Sequence, residues 1–216
     1  MKNHPYPGIF VVFDGIDGSG KSTQVQRFAA AFAALGERLV VSKEPTDGPW
    51  GAKLRRSALS GRLPFEAELA AFIEDRREHL ATKVMPALKE GALVVLDRYY
   101  YSTIAYQGLR TDDIAAFEPR IRAGLVEPDV AYFIEVPPAA AAARIQRRDG
   151  GANHFERPDD LVRLAQAFKR MAARDERIVP VNGERLEDEV FADILAHFAQ
   201  GPFKRKRGAP LVLPQP

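Results

Sequence analysis

Cysteine is absent from the 216-residue chain, which excludes disulfides and thiolate-bound metals. No apolar run reaches the ~18 residues that cross a bilayer, so no membrane partner is expected. Residues 1–8 lack the apolar core of a secretory signal, and the expected setting is reducing and cytoplasmic. An excess of one charge is missing too: 31 Lys and Arg stand against 29 Asp and Glu. Whole-chain electrostatics therefore asks for no polyanion, and no nucleic acid is expected as a partner.

What the chain does contain is alternation. Short apolar runs at 9–13, 39–41, 93–96, 130–136 and 178–181 read as strands, and their near-continuous hydrophobicity predicts burial on both faces of a parallel sheet. Helical patterns lie between them at 21–35, 64–90, 99–107, 138–148, 158–174 and 186–199. Strand–helix alternation predicts a three-layer α/β fold, one domain over about residues 1–200. Two stretches break the pattern. Residues 147–160 are polar and charged and read as a mobile loop, and 201–216, with four prolines and a basic run at 204–207, read as a loose tail.

Gly15-Ile16-Asp17-Gly18-Ser19-Gly20-Lys21-Ser22 has the spacing G-x-x-x-x-G-K-[ST], placed between a strand and a helix. Glycines there let successive backbone N–H groups curl around phosphate oxygens, and the helix N-terminus adds its positive dipole end. Lys21 suits the β- and γ-phosphates of a nucleoside triphosphate, and the Ser22 hydroxyl suits Mg2+. The spacing establishes what is bound but not what is done with it.

The run at 93–96 ends in Asp97-Arg98. Ligands gather at the carboxyl ends of parallel strands, so this pair should face the phosphate-binding loop. Asp97 could orient Mg2+ or hold Arg98, and an arginine there suits an anionic acceptor better than a hydrolytic water. In the following helix Tyr99, Ser102 or Thr103, and Tyr106 share one face by their spacing. Within 64–90, Arg76 sits on the apolar stripe one turn from Phe72 and needs an internal carboxylate or a ligand. Arg144, Arg147 and Arg148 crowd the entry to the polar loop, where they could close over a transferred phosphoryl group.

Together these residues resemble the thymidylate kinases. The resemblance rests on GIDGSGKST at 15–23, which includes Thr23, on Glu44-Pro45, on Phe72 and Arg76, on DRYxxSxxAYQG at 97–108, and on an arginine loop ending in Phe155-Glu156. It implies a five-stranded parallel sheet, Mg-ATP as donor, dTMP as acceptor and a homodimer. It also implies that Phe72 stacks on thymine, Arg76 bonds the base and Arg98 grips the acceptor phosphate with Asp17 nearby. Tyr106 would lie under the deoxyribose, and Ser102, Thr103 and Gln107 would line the pocket with Glu44 and Pro45. The γ-phosphate arginine falls to Arg148 or Arg147. The chain departs from the family pattern in Lys43-Glu44-Pro45-Thr46-Asp47-Gly48 after the second strand, and in Asp14, where glutamate is more usual.

Two rivals bring different chemistry. A deoxynucleoside kinase would use Glu44 as general base on a sugar hydroxyl. A nucleotide switch would need an Asn-Lys-x-Asp base-recognition motif, which this sequence lacks.

Overall fold

Side chains alternate across β1 (Ile9–Asp14), so one strand feeds two cores. Phe10 and Val12 face one side, and Ile9, Val11 and Phe13 the other. All are buried because β1 is the middle strand of the sheet. In the computed structural model, which describes residues 4–111, 113–149, 158–209 and 211, the sheet has five strands in the order β2-β3-β1-β4-β5. The others are β2 (Leu39–Lys43), β3 (Leu93–Asp97), β4 (Val130–Glu135) and β5 (Ile178–Asn182). Every pairing is parallel.

The first core is closed by α3 (Phe65–His79), α4 (Met85–Lys89), α5 (Tyr100–Gln107), α6 (Ile114–Arg122) and α8 (Pro158–Ala172). The second is closed by α1 (Lys21–Ala34) and α9 (Glu187–Phe198). The α/β layers and the parallel sheet are as the sequence predicts. Burial on both faces does not extend to β2, an edge strand whose side chains are half-buried or exposed.

Two further helices escape the periodicity reading. At α2 (Pro49–Ser60), Gly48-Pro49 supplies a start signal, but the apolar spacing is poor. At α6, Pro119 lies inside the helix and obscures the pattern, while the Asp113 carboxylate caps the Ala116 N–H at 3.1 Å. The stretch 64–90 is helical as expected, from Phe65 to Lys89, with a wide π-type turn at Leu80–Val84 between α3 and α4.

Part of the expected loose tail is ordered. A second wide turn, Ala199–Phe203, and α10 (Lys204–Arg207) continue α9, and Phe203 is buried beside Phe32 and Phe198. Lys206 donates to the Tyr6 carbonyl at 3.0 Å and lies 3.4 Å from the buried Asp129 carboxylate. Arg207 reaches Glu37 at 2.9 Å. Half of the basic run thus ties the C-terminal helix to the body. Residues 150–157 of the expected lid lie outside the described residues, and α7 (Pro138–Asp149) leads into them.

The strand order locates the site. The chain leaves β1 toward one edge of the sheet and β3 toward the other. The crevice beyond their carboxyl ends is therefore a topological switch point, where α/β sheets bind ligands.

Candidate active site

Two segments meet in that crevice: the loop after β1 and the Asp97-Arg98 pair ending β3. In the loop, Gly18 has φ +75°, and a Cβ there would meet the Ala141 carbonyl oxygen at 2.5 Å. Only glycine lets α7 press against the loop and bring its arginines alongside. Gly20, at φ +94°, starts α1 with no side-chain cap, which leaves the first-turn N–H groups for a ligand. The Ser19 hydroxyl is buried without a partner. Lys21 is held inward by the Ile16 carbonyl at 3.1 Å. Burial pushes its ammonium down to about 8, Arg98 adds repulsion, and Asp17, Asp97 and Asp14 offset part of the shift.

Opposite the loop, Ser22 Oγ donates to Asp97 Oδ2 at 2.5 Å. This hydroxyl–carboxylate pair has the hard oxygen donors that Mg2+ takes. Among the described residues no cluster of three or more His, Asp or Glu could hold a metal unaided. The pair thus fits a metal shared with nucleotide phosphates, the usual manner for Mg2+.

Arg98 turns the chain with φ +71°, the non-glycine residue with positive φ among those described. Its backbone N–H bonds the Phe13 carbonyl at 2.8 Å, and its guanidinium donates to Asp17 Oδ1 at 2.5 Å and Ser102 Oγ at 2.8 Å. Asp97 does not hold Arg98; Asp17 and Ser102 do. Asp17 Oδ2 accepts from the Tyr106 hydroxyl at 2.6 Å. Burial alone would raise the Asp17 carboxyl, but Arg98 and Lys21 outweigh it and hold the group well below the usual carboxylate range.

Beneath this cluster lies Asp14, fully buried. It accepts from the N–H groups of Gly15, Tyr99 and Ser102 and from the Ser102 hydroxyl at 2.6 Å. Burial raises its pKa, while Arg98 and these hydrogen bonds work against the rise. Asp14 thus joins the ends of β1 and β3 and sets the turn that aims Arg98.

A cavity of about 180 Å3 opens from Asp17 and Arg98 toward α3. Glu44, Pro45, Phe72, Arg76, Ser102, Thr103, Tyr106 and Gln107 all line it, so the acceptor residues expected from the sequence come together in one place. The carboxylate that Arg76 requires is Glu44, 2.8 Å away and equally buried. Its other oxygen meets His79 Nδ1 at 3.1 Å. With both oxygens engaged, Glu44 is a structural anchor rather than a base poised over a hydroxyl. Arg76 also donates to Thr103 Oγ1 at 2.8 Å, which leaves Nη1 buried without a partner. Gln107 Oε1 is in the same condition.

The sequence reading missed Glu68 and the wall that α2 supplies through Leu54 and Arg55. A signal for Glu68 existed: Glu68, Phe72 and Arg76 recur every four residues on one helix face. Nothing local in α2 marks it as a cavity wall.

On the loop's other side, a cavity of about 300 Å3 is lined by Ser19, Gly20, Thr23, Arg144, Gly183 and Arg185 among others. Arg144 spans it, donating to the Ser19 carbonyl at 3.3 Å and the Gly183 carbonyl at 3.0 Å. Arg147 turns back to the Ala143 carbonyl at 3.3 Å, whereas the positive charge of Arg148 contributes to lowering Asp17. A larger groove, about 450 Å3 between α5, α6 and α8, contains none of the expected site residues.

The sequence comparisons agree with this geometry. The family model described as Thymidylate kinase matches residues 13–194. A thymidylate kinase of Xanthomonas euvesicatoria pv. vesicatoria (strain 85-10) is 42% identical over 183 residues, covering 82% of this chain and 78% of that protein. One from Xanthomonas oryzae pv. oryzae (strain PXO99A) is 41% identical with the same coverage. One from Xylella fastidiosa (strain M12) is 40% identical over 178 residues, covering 80% of this chain and 79% of its own. A match of this extent, over a fold with a phosphate-binding loop at its switch point, places the chain in the thymidylate kinase family of ATP-dependent phosphotransferases.

Proposed function

We propose that the protein transfers the γ-phosphoryl group of Mg-ATP to dTMP, yielding dTDP and ADP. The observation that carries this reading is the continuity of the acceptor cavity with the phosphate loop through Asp17 and Arg98. A monophosphate seated there has its anionic end at Arg98 and its base between Phe72 and Arg76.

The donor triphosphate lies in the loop from Gly15 to Thr23, with Lys21 on its β- and γ-oxygens and Arg144 beside the nucleoside. Phosphate binding favours the Lys21 ammonium, because the anion offsets the solvation lost on burial. Mg2+, held by Ser22 and Asp97 with the nucleotide, would neutralise charge on the transferring group. Arg148, with its charge already felt at Asp17, approaches the γ-phosphoryl group from α7. No general base is required, since the acceptor phosphate is already an anionic nucleophile. Asp17 stays ionised and serves to orient Arg98 and Tyr106. At the base end, the unpartnered Arg76 Nη1 suits a carbonyl oxygen and the unpartnered Gln107 Oε1 suits an N–H donor.

One catalytic domain through about residue 200, a cytoplasmic setting and a homodimer belong to the same reading, supported by the family resemblance; sedimentation of the purified chain tests the last. For the reaction, kcat/KM is measured with Mg-ATP and dTMP, thymidine or other monophosphates. dTMP is expected to be the best acceptor, and faster turnover of thymidine would overturn the proposal.

A further inference from the structure

Among the described residues, Glu68 carries an unusual load for a carboxylate on an apolar helix face. It is 2% exposed. Arg62 grips it through two bonds, Nε to Oε2 at 3.2 Å and Nη2 to Oε1 at 2.6 Å. Arg110 donates to Oε2 at 2.6 Å. The fourth bond comes from the side-chain amide of Gln107, whose Nε2 donates to Oε1 at 3.1 Å. Gln107 is fully buried and lines the acceptor cavity, and its own Oε1 has no partner.

An amide can sit in two orientations differing by a half-turn, and a carboxylate resolves the choice because it accepts and does not donate. Turning Gln107 over would set its carbonyl oxygen against Glu68. The amide is therefore fixed with its NH2 on Glu68, and its carbonyl is left as an acceptor awaiting a donor. Arg76 lines the same cavity, and its buried Nη1 is a donor awaiting an acceptor. A 4-oxopyrimidine offers both complements side by side, N3–H and O4. A 4-aminopyrimidine presents the reverse, an N3 acceptor and an amino donor, and leaves both protein groups unpaired in a buried site.

We propose that Glu68 is a positioning residue for base specificity: by locking the Gln107 amide it makes the site accept the 4-oxo edge of a pyrimidine and reject the 4-amino edge. The inference rests on the acceptor reading given above. In Glu68→Gln the new amide can donate to Gln107 Oε1, which permits Gln107 to turn and offer its NH2 to the ligand. The test measures kcat/KM for dTMP and dCMP in wild type, Glu68→Gln, Gln107→Met and the double variant, each checked for a cooperative thermal transition.

Glu68→Gln is expected to shrink the dTMP-over-dCMP ratio at least tenfold, through KM for the acceptor and with KM for ATP unmoved. Gln107→Met is expected to collapse the ratio as well, and adding Glu68→Gln in that background should change it no further. A folded Glu68→Gln that keeps the wild-type ratio overturns the proposal, as does an equal change of ratio with and without the Gln107 amide. If Glu68→Gln does not fold, an unchanged ratio in Gln107→Met has the same consequence. A wild type that does not phosphorylate dTMP instead refutes the acceptor reading, a separately visible failure.

Discussion

Lys21 is tuned against the stability of its own fold. Its ammonium is buried, and burial lowers its pKa from 10.5 to about 8. Between those values the unfolded chain holds a proton that the folded chain has released, so stability rises with pH across that window. Below about pH 8 the penalty is fully present. Lys21→Met should therefore stabilise the ligand-free protein at pH 7, by up to ~3 kcal/mol at ~1.4 kcal/mol per pKa unit, while abolishing phosphoryl transfer. Denaturant titrations of both proteins at pH 7 and pH 10 check this, and the gap should narrow at the higher pH. Arg98 works in the opposite sense. Burial would lower its pKa, but Asp17 and its other acidic neighbours raise it, so it remains cationic throughout. Arg98→Ala should weaken use of dTMP by ~1.5–3 kcal/mol, the range for a hydrogen bond to a charged group, and leave ATP affinity nearly unchanged. Separate titrations of the two substrates distinguish the effects.

Among the elements, α7 and the C-terminal helices do work that their sequences only partly announce. Close approach of α7 at Gly18 sets Arg144 across the loop and brings the charge of Arg148 to bear on Asp17. Arg148→Ala should lower kcat about 10²-fold, as expected for one lost electrostatic donor, with little change in KM for dTMP. Single-turnover rates would show it, and the same loss in Arg147→Ala would reassign the role. At the other end, Phe203 completes a cluster with Phe32 and Phe198. Phe203→Ala should cost ~3–5 kcal/mol, the range for deleting a buried aromatic side chain, visible as a lower denaturation midpoint. A loose tail would give no such loss. Residues 201–207 are ordered, although four prolines and a basic run over 201–216 predict a loose tail, because Asp129, Glu37 and the Phe32 cluster receive them from far away in the chain. Residues 210 and 212–216 lie outside the described residues.

For the whole molecule, ligands can complete hydrogen bonds that the fold by itself leaves open. The Ser19 hydroxyl, Arg76 Nη1 and Gln107 Oε1 are buried without partners, and each such group carries a desolvation cost that a bound nucleotide can relieve. A ligand at 100 times its Kd stabilises a fold by ~2.7 kcal/mol. Mg-ATP analogue and dTMP should each raise the unfolding temperature, in separate and additive steps where the two sites are independent. Chelating Mg2+ should abolish turnover yet leave the melting of the ligand-free chain unchanged, because the described residues form no metal cluster of their own. Calorimetry with and without chelator checks both statements.

The parts legible in the sequence are those written contiguously. The phosphate loop occupies eight successive residues, the strands are unbroken apolar runs, and Phe72–Arg76 or Asp97–Gln107 keep their spacing on single elements. Local chain geometry determines such features before any packing occurs. The tertiary structure decided which groups answer one another. Glu44 neutralises Arg76 from 32 residues away, Glu68 sets the Gln107 amide from 39, and Asp14 anchors Ser102 from 88. A buried charge or amide must find a partner, but the chain alone does not say which one, because partners are chosen by the crossing of strands at a switch point. The sequence determined that a triphosphate and an anionic acceptor would meet, and the fold determined which atoms remain free to receive them.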